Sequence, residues 1–376
     1  MPRVELFDAH THLGQNDPDG FRSSLSELTE SLAAAGARAT VFPMHEPGGY
    51  PPANDAVIDD AERSEGTLVP FCRLDPANDP LAEAERCLER GAAGIKLHPR
   101  AEGFALDIPA LEPVFALADE RRLPVLVHAG RGIPALGSHA VAVCERHPGL
   151  RLILAHAGIC DLAWIWRAAR ETPNLFFDTA WWSPSDLLAL FALVPPGHIL
   201  FASDAPYATP SFAAYMNLRY ARQAGLSPEQ IELVFAGQLE RILAGEEPLD
   251  GGEPPGTARL DHDPLLERAY AFLLASIGQM FWGVEPTETL ALAELACKVH
   301  EDSPQAETCA AVLRLLEMRE NAPPENRPPQ FAPGLSYVIA AAGLARTPDV
   351  VMPSAGGAQP DPGGARPDPG GAQPDR

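Results

Sequence analysis

The chain has 376 residues, of which 46% are hydrophobic, and this length suits one large folded domain with an appendage. It carries 28 basic and 51 acidic residues, which gives a formal net charge of -23. Because such an acidic surface repels polyanions, the charge argues against binding to nucleic acid or to an anionic membrane.

Eight short apolar runs alternate with helical segments through the first two thirds of the chain. They are VELFDAH, ATVFPMH, LVPFCRLD, AGIKLHP, PVLVHAG, LRLILAHAG, NLFFDTAW and HILFASDAP. Successive runs end about 23 to 33 residues apart, which is the length of a strand, a loop and a crossover helix. The rhythm predicts a (β/α)8 TIM barrel over residues 1–247. An open doubly wound sheet is the alternative, but no glycine-rich phosphate turn follows the first run.

The composition changes after the barrel region. Residues 248–260 are rich in glycine and proline and are predicted to form a linker. Three helical segments, each with a proline near its front, lie within residues 262–320, and LSYVIAAAGLA suggests one more short helix. We therefore expect a helical appendage over residues 261–345. The GGAQPDP-type repeats near the end cannot build a core, so residues 346–376 are predicted to be a disordered low-complexity tail.

The cysteines and the apolar stretches bear on location. Six cysteines are scattered without CxxC spacing, which is typical of proteins whose thiols stay reduced. The longest apolar stretch, near residues 269–282, is shorter than the roughly 18 residues of a membrane span. We expect a cytoplasmic protein with a small-molecule substrate and no membrane partner. Assembly into a homo-oligomer is a further possibility.

The first apolar run ends in DAHTHLG, which places two histidines two residues apart. Because side chains alternate across a strand, Asp8, His10 and His12 share one face. Two imidazoles on that face can ligate one metal ion when further ligands arrive from other strands. By itself this pair is a weak signal, since two histidines bonded to backbone or solvent give the same pattern.

Other candidate ligands end other strands. His98 ends the fourth run, His128 the fifth, His156 the sixth and Asp204 the eighth. In a TIM barrel these strand ends converge on one mouth, where active sites lie. Histidine and carboxylate side chains are the ligands expected for Zn²⁺ and similar ions. The pattern therefore predicts a divalent metal site, with Zn²⁺ as the expected ion, in one or two copies.

Together these motifs resemble the amidohydrolase superfamily, and within it the amidohydrolase-related branch that includes aminocarboxymuconate-semialdehyde decarboxylase-like proteins. The matching pieces are DAHTHLG, GIKLHP, PVLVHAG, LILAHAG, ILFASDAPY and VFAGQLERIL. They span residues 4–245, and residues beyond 256 lie outside the resemblance. One position departs from the family, because Gln238 stands where asparagine is common.

The resemblance implies roles for the residues at the strand ends. Four of them would be metal ligands, namely His10, His12, His128 and Asp204. Asp204 would also take a proton from the activated water. His156 would bind the second ion of a binuclear site, or would act on water or substrate in a mononuclear one. Lys96 would bridge two ions if it is carboxylated, as in some relatives; otherwise it would pair with a carboxylate or contact substrate.

Residues for substrate binding are predicted in the loops at the barrel mouth. They are His98, Arg73, Arg100, Arg131 and Trp181. An arginine there could clamp a carboxylate, and the alternative is a structural or solvated arginine. His98 could instead cap a helix or loop. Trp181 and Trp182 are adjacent, so strand alternation predicts that at most one of them faces the site. Asp178 could orient a ligand or cap a loop.

These expectations lead to a metal-dependent hydrolase that uses an activated water on a small amide, lactone or ester. The alternatives are a metal-dependent decarboxylase of a small carboxylic acid, and a catalytically silent barrel that acts as a binding module. The complete set of candidate ligands disfavours the silent barrel.

Overall fold

Eight parallel strands form the centre of the computed structural model, which describes residues 4–322 and 332–351. The strands are β1 (Leu6–Leu13), β2 (Ala37–Pro43), β3 (Leu68–Arg73), β4 (Gly94–Leu97), β5 (Pro124–Val127), β6 (Arg151–Leu154), β7 (Leu175–Asp178) and β8 (Ile199–Leu200). Each pairs with its neighbour in the chain, in the order β1 to β8. Hydrogen bonds from Ala9 N to Phe201 O (2.9 Å) and from His12 N to Ala205 O (2.8 Å) join β1 to the segment after β8. The sheet is therefore a nearly closed TIM barrel, as the rhythm of apolar runs predicted.

Helices follow the strands and continue beyond the barrel. The helices between and after the strands are α1 (Leu25–Ala35), α2 (Pro51–Arg63), α3 (Pro80–Glu89), α4 (Pro99–Glu102), α5 (Glu112–Arg121), α6 (Gly137–Arg146), α7 (Leu162–Ala169), α8 (Pro184–Leu193), α9 (Pro210–Ala224), α10 (Pro228–Glu232) and α11 (Gln238–Leu243). The C-terminal helices are α12 (Pro264–Met280), α13 (Thr287–Ala296), α14 (Ala306–Glu320) and α15 (Leu335–Ala345). Within the described ranges, none of these helices has the length and apolar character needed to cross a membrane.

Local sequence signals place the crossover helices. Ser24 begins α1 with a capping box, in which its side chain accepts from the backbone of Glu27 and the Glu27 carboxylate accepts from the Ser24 backbone. Gly36 ends the helix in the left-handed region, at φ 67° and ψ 40°. β2 starts at the next residue. A helix with defined ends thus returns the chain to the start of the following strand.

Two buried layers hold the barrel together. The larger layer joins strand residues to the surrounding helices, for example Ile95 and Val125 to Val114 and Phe115 of α5. A separate cluster collects side chains from seven strands, namely Phe7, Phe42, Phe71, Leu126, Ile153, Phe176 and Leu200. Side chains from seven strands of a ring can meet only inside it. This cluster therefore fills the interior of the barrel.

The segment predicted as a linker is anchored to the barrel. Gln238 of α11 is fully buried, and its Nε2 donates to the carbonyl oxygens of Gly197 and Leu249. Leu249 N donates back to Gln238 Oε1 at 3.0 Å, and Gly256 N donates to Ala192 O at 2.9 Å. The glutamine that departs from the family pattern therefore ties the segment after the barrel to the loop before β8.

Replacing Gln238 with alanine should destabilise the protein by about 2 kcal/mol, because it leaves buried backbone groups of two segments without partners. Urea unfolding followed by circular dichroism measures the effect. Gln15→Ala is the matched control, since Gln15 is exposed and its one hydrogen bond among the described residues, to Ser23 O, is long at 3.4 Å. Equal stability of the two variants would contradict the anchoring role.

The C-terminal helices form a second buried cluster that packs against the barrel at α9. Leu273 and Ile277 of α12 meet Val312 of α14 and Val338 of α15 in this cluster. A Cβ atom on Gly343 of α15 would lie 2.1 Å from Met216 Cε and 2.7 Å from Tyr220 Oη. A larger residue at position 343 would therefore force Met216 and Tyr220 to shift where α15 packs against α9. The domain boundaries along the chain stay predictions.

The first residues of the predicted tail also contact α9. Arg219 Nε donates to Thr347 Oγ1 at 3.1 Å, and Gln223 Nε2 donates to Asp349 Oδ2 at 2.8 Å. Thr347 is fully buried. Specific contacts therefore continue past the predicted start of the tail at residue 346. Residues 352–376, the remainder of the predicted tail, lie outside the described residues.

Candidate active site

Closure of the barrel brings the histidine pair of β1 next to the aspartate that follows β8. Asp204 Oδ1 lies 3.2 Å from His10 Nε2 and 3.1 Å from His12 Nε2. The three ligand atoms all lie within 4.8 Å of one another, as ligands of one cation must. Asp204 is almost two hundred positions from the two histidines in sequence, and the ring of strands makes them neighbours.

Backbone strain accompanies two of the strand-end residues. Asp204 and His156 are not glycines, yet both have left-handed φ values, of 64° and 58°. Such conformations cost on the order of 1–3 kcal/mol each and cluster at functional sites. Hydrogen bonds hold them in place, from Asp204 N to His10 O at 2.9 Å and from His156 N to Asp178 Oδ1 at 2.7 Å.

Asp178, at the end of β7, holds His10 and His156 in position. Its Oδ2 lies 2.7 Å from His10 Nδ1, and its Oδ1 accepts from the backbone of His156 (2.7 Å) and Ala180 (3.0 Å). The closer carboxylate contact, to Asp178, places the proton of His10 on Nδ1. Lys96 Nζ lies 3.3 Å from Nε2, so Nε2 presents a lone pair on the side of Lys96 and Asp204. Both roles expected for Asp178, orienting a ligand and capping a loop, are present in one side chain.

Burial controls the charges of these groups. Burial lowers the pKa of His10 and of His12 well below the usual value, so both imidazoles are neutral, which is the form that ligates a metal. Burial also lowers the pKa of Lys96 to about 7, while it raises the pKa of Asp8 to about 7. Neutral imidazoles beside a carboxylate, with the tautomer fixed by Asp178, fit a divalent cation.

A second histidine pair lies beside this cluster. His128 Nδ1 is 3.0 Å from His156 Nε2, and His98 stacks on His128 with ring centroids 4.0 Å apart. His156 Nδ1 lies 2.6 Å from the carbonyl oxygen of Ala180, which requires the proton on Nδ1 and makes Nε2 an acceptor. His128 therefore contacts His156 directly, and its predicted role as a metal ligand stays a prediction.

The two histidine clusters line one cavity of about 530 Å³ at the barrel mouth. All five residues predicted to bind substrate line it as well, namely Arg73, His98, Arg100, Arg131 and Trp181. The strand-end residues named from the sequence thus come together in space. The functional role of each stays a proposal.

The amidohydrolase family model matches residues 7–237 of the chain. The chain belongs to the amidohydrolase family. The family assignment made from the strand-end motifs is therefore confirmed. Members of the amidohydrolase superfamily are metal-dependent enzymes, and the cluster of His10, His12 and Asp204 is a candidate metal site. The match ends before α12, so the C-terminal helices lie outside it.

Solved structures share the barrel. An uncharacterised TIM-barrel protein from Bordetella bronchiseptica aligns with a TM-score of 0.53 at 18% identity. A putative amidohydrolase from Staphylococcus aureus gives 0.52 at 16%, and 5-carboxyvanillate decarboxylase from Sphingomonas paucimobilis gives 0.50 at 16%. Each alignment covers 64% of this chain and 99% of the other. At these identities the likeness concerns the fold. No curated protein matches the sequence.

The guanidinium of Arg73, which was predicted as a possible carboxylate clamp, is already hydrogen-bonded within the protein. Arg73 is 2% exposed, and its guanidinium donates to Glu102 Oε1 at 2.8 Å and to Pro43 O at 3.3 Å. Tyr50 donates to the same Glu102 oxygen. Among the three arginines at the mouth of this amidohydrolase, Arg100 and Arg131 are the exposed ones.

Both adjacent tryptophans line the amidohydrolase cavity, which corrects the expectation that at most one would do so. β7 ends at Asp178, so Trp181 and Trp182 lie in an irregular segment before α8, where strand alternation no longer applies. Trp181 Nε1 donates to Asp186 Oδ2 at 2.8 Å, and the Trp182 ring lies 5.1 Å from that of Phe281.

Sequence reasoning missed the part of the cavity wall that comes from α9 and from the C-terminal helices. Asn217 and Tyr220 of α9, Phe281 after α12 and Ile339 of α15 all line the cavity. None of them belongs to a strand-end motif, and two follow the matched family region. No signal in the sequence pointed to these positions, because packing between helices that are far apart in the chain brings them to the cavity.

Proposed function

We propose that the protein is a metal-dependent hydrolase of a small amide, lactone or ester. The observation that carries the proposal is the convergence of two neutral imidazoles and one carboxylate at the mouth of an amidohydrolase barrel. His10, His12 and Asp204 would hold one divalent ion, and this donor set suits Zn²⁺. His128 and His156 would hold a second ion, together with Lys96 if that lysine is carboxylated.

A divalent ion held there would polarise the carbonyl group of the substrate and would lower the pKa of a bound water towards roughly 7. Asp204 then takes a proton from the attacking water and passes it to the leaving group. Asp204 suits this role because its side chain is 20% exposed to the cavity, whereas Asp178 is fully buried and occupied.

His156 fits a ligand or a proton acceptor better than a donor to an oxyanion. Its Nδ1 donates to Ala180 O, so Nε2 is the ring nitrogen left for an ion, a water or a substrate, and it lies beside His128. Burial lowers the pKa of His156, which disfavours the protonated ring that a donor at Nε2 would need.

The surroundings of Lys96 support the bridging role that the family resemblance implies. Its Nζ lies 3.3 Å from His10 Nε2, and the side chain is fully buried. With its pKa lowered to about 7, the neutral amine that adds CO₂ is available near neutral pH. Native mass spectrometry tests the bridge, which would appear as the mass of one added CO₂.

A metal-dependent decarboxylase is the second candidate. Arg100 and Arg131 are exposed and line the cavity beside the histidine clusters, where a guanidinium can bind the carboxylate of an acid substrate. One structural neighbour is a 5-carboxyvanillate decarboxylase. Products separate the two candidates in a screen of esters, lactones, N-acyl compounds and aromatic carboxylates. CO₂ release without hydrolytic cleavage would favour the decarboxylase.

Replacing His12 with alanine should lower zinc affinity at least tenfold, because it removes one of three converging ligands. Zinc is measured by mass spectrometry after dialysis, and affinity by competition with a chromophoric chelator. His139→Ala is the matched control, because the His139 side chain is 43% exposed on α6, forms an ion pair with Asp107 at 3.7 Å and does not line the cavity. A wild-type protein that retains no metal would overturn the proposed function.

A further inference from the structure

Two polar atoms of α9, each buried and each on a residue that lines the cavity, have no hydrogen-bond partner among the described residues. They are Asn217 Oδ1 and Tyr220 Oη. Asn217 is 2% exposed and Tyr220 is 1% exposed. Because residues three apart on a helix are neighbours, both lie on one face of α9. Buried polar groups are nearly always bonded, so two unpaired atoms on one cavity wall require a physical reason.

The orientation of the Asn217 amide is determined by a contact inside α9. Its Nδ2 donates to Ala213 O at 2.9 Å, which leaves Oδ1 as a hydrogen-bond acceptor. Tyr220 Oη can both donate and accept. A single hydroxyl group could therefore donate to Asn217 and accept from Tyr220.

This part of the cavity is covered by the C-terminal helices. Tyr220 Oη lies against Gly343 of α15, and Ile339, one turn earlier in the same helix, lines the cavity. The other lining side chains from α8, α9 and the C-terminal helices are apolar: Leu187, Phe212, Ala213, Met216, Phe281 and Ile339. Asn217 and Tyr220 are thus the polar groups of an otherwise apolar wall.

We propose that Asn217 and Tyr220 form a distal recognition site for a hydroxyl group of the substrate. The inference rests on the proposed function, which puts the reacting carbonyl at the cluster of His10, His12 and Asp204. The substrate is then an elongated acyl compound with an electrophilic carbonyl at one end, an apolar chain and a terminal hydroxyl at the other. The C-terminal helices, which lie beyond the matched family region, contribute to this specificity by enclosing the chain.

Alkanohydroxamic acids of increasing chain length test this assignment, each as an ω-methyl and an ω-hydroxy form. Their hydroxamate group chelates zinc, so binding to the zinc-loaded full chain is measured by titration calorimetry. At the chain length that reaches α9, the hydroxy form should bind roughly 5- to 30-fold more tightly than its methyl analogue. Tyr220→Phe should remove this preference while leaving affinity for the methyl form unchanged.

Thermal unfolding separates recognition from structure. Tyr220→Phe removes an unpaired buried hydroxyl, so its melting temperature should not fall. Tyr270→Phe is the matched control, because Tyr270 Oη bonds Ser185 Oγ at 2.9 Å and Tyr270 does not line the cavity. That variant should melt at a lower temperature and keep the preference for the hydroxy form.

The outcomes distinguish the two levels of the proposal. If no hydroxamate binds the zinc-loaded wild type, the proposed metal site is contradicted, and so is the distal recognition site that depends on it. If hydroxamates bind but the hydroxy form has no advantage at any length, the distal site alone is wrong. The same conclusion follows if Tyr220→Phe keeps the preference, and bound water would then account for the two polar atoms.

Discussion

Replacing Asp204 with asparagine should lower kcat by about 10²- to 10⁴-fold while zinc stays bound at saturating concentration. The amide keeps an oxygen close to His10 Nε2 and His12 Nε2, which Asp204 Oδ1 approaches to 3.2 and 3.1 Å. An amide cannot accept a proton from the attacking water, so proton transfer is the step that fails. The measurement is kcat on the substrate found in the product screen, with metal content determined on the same samples.

Asp161→Asn is the control for this variant. Asp161 is another buried aspartate, 4% exposed, which accepts from the backbone of Leu136 and Gly137 and does not line the cavity. Its substitution tests whether loss of any buried carboxylate slows turnover. Activity of Asp204→Asn close to that of Asp161→Asn would remove Asp204 from the mechanism.

Replacing Asp178 with alanine should destabilise the protein by about 3–5 kcal/mol and should weaken zinc binding about 10- to 100-fold. The variant leaves three donors without an acceptor, namely His10 Nδ1, His156 N and Ala180 N. It also frees the ring of His10 to rotate or to change tautomer. Urea unfolding and chelator competition measure the two effects separately.

The milder pair Asp178→Asn and Asp8→Asn separates orientation of the ligand from stability. Asp8 is equally buried and accepts from the backbone of His10 (3.0 Å) and Ser203 (2.9 Å), but not from the His10 ring. Asp8→Asn should therefore lower stability while leaving zinc affinity nearly unchanged. Asp178→Asn should lower zinc affinity, since an amide can turn its NH₂ group towards a donor. The same loss of affinity in both variants would mean that Asp178 has no specific effect on His10.

The fold was predictable because its signals are local. Strand and helix periods, the Ser24 capping box and the glycine at position 36 act within a few residues of each other. The positions of His10, His12 and Asp204 were predictable for a related reason, since a closed ring of parallel strands puts all strand ends on one rim. Once the ring is known, their distances in sequence no longer matter.

The partners of individual side chains were not predictable in the same way. Strand position alone did not show that His128 pairs with His156, or that Glu102 occupies the guanidinium of Arg73. Alternation failed at Trp182 because the strand had already ended. These outcomes depend on side-chain directions and on loops, which have no sequence period.

By itself the sequence determined the barrel, the family and the rim on which the candidate ligands meet, since each of these follows from repeating local patterns. Only the tertiary structure decided which nitrogen of His10 faces Asp204, because that depends on the carboxylate of Asp178, which lies two strand positions away around the ring. It also decided the far wall of the cavity. Asn217 and Tyr220 gain a role only when Gly343 lets α15 pack against α9, a contact between segments more than a hundred residues apart.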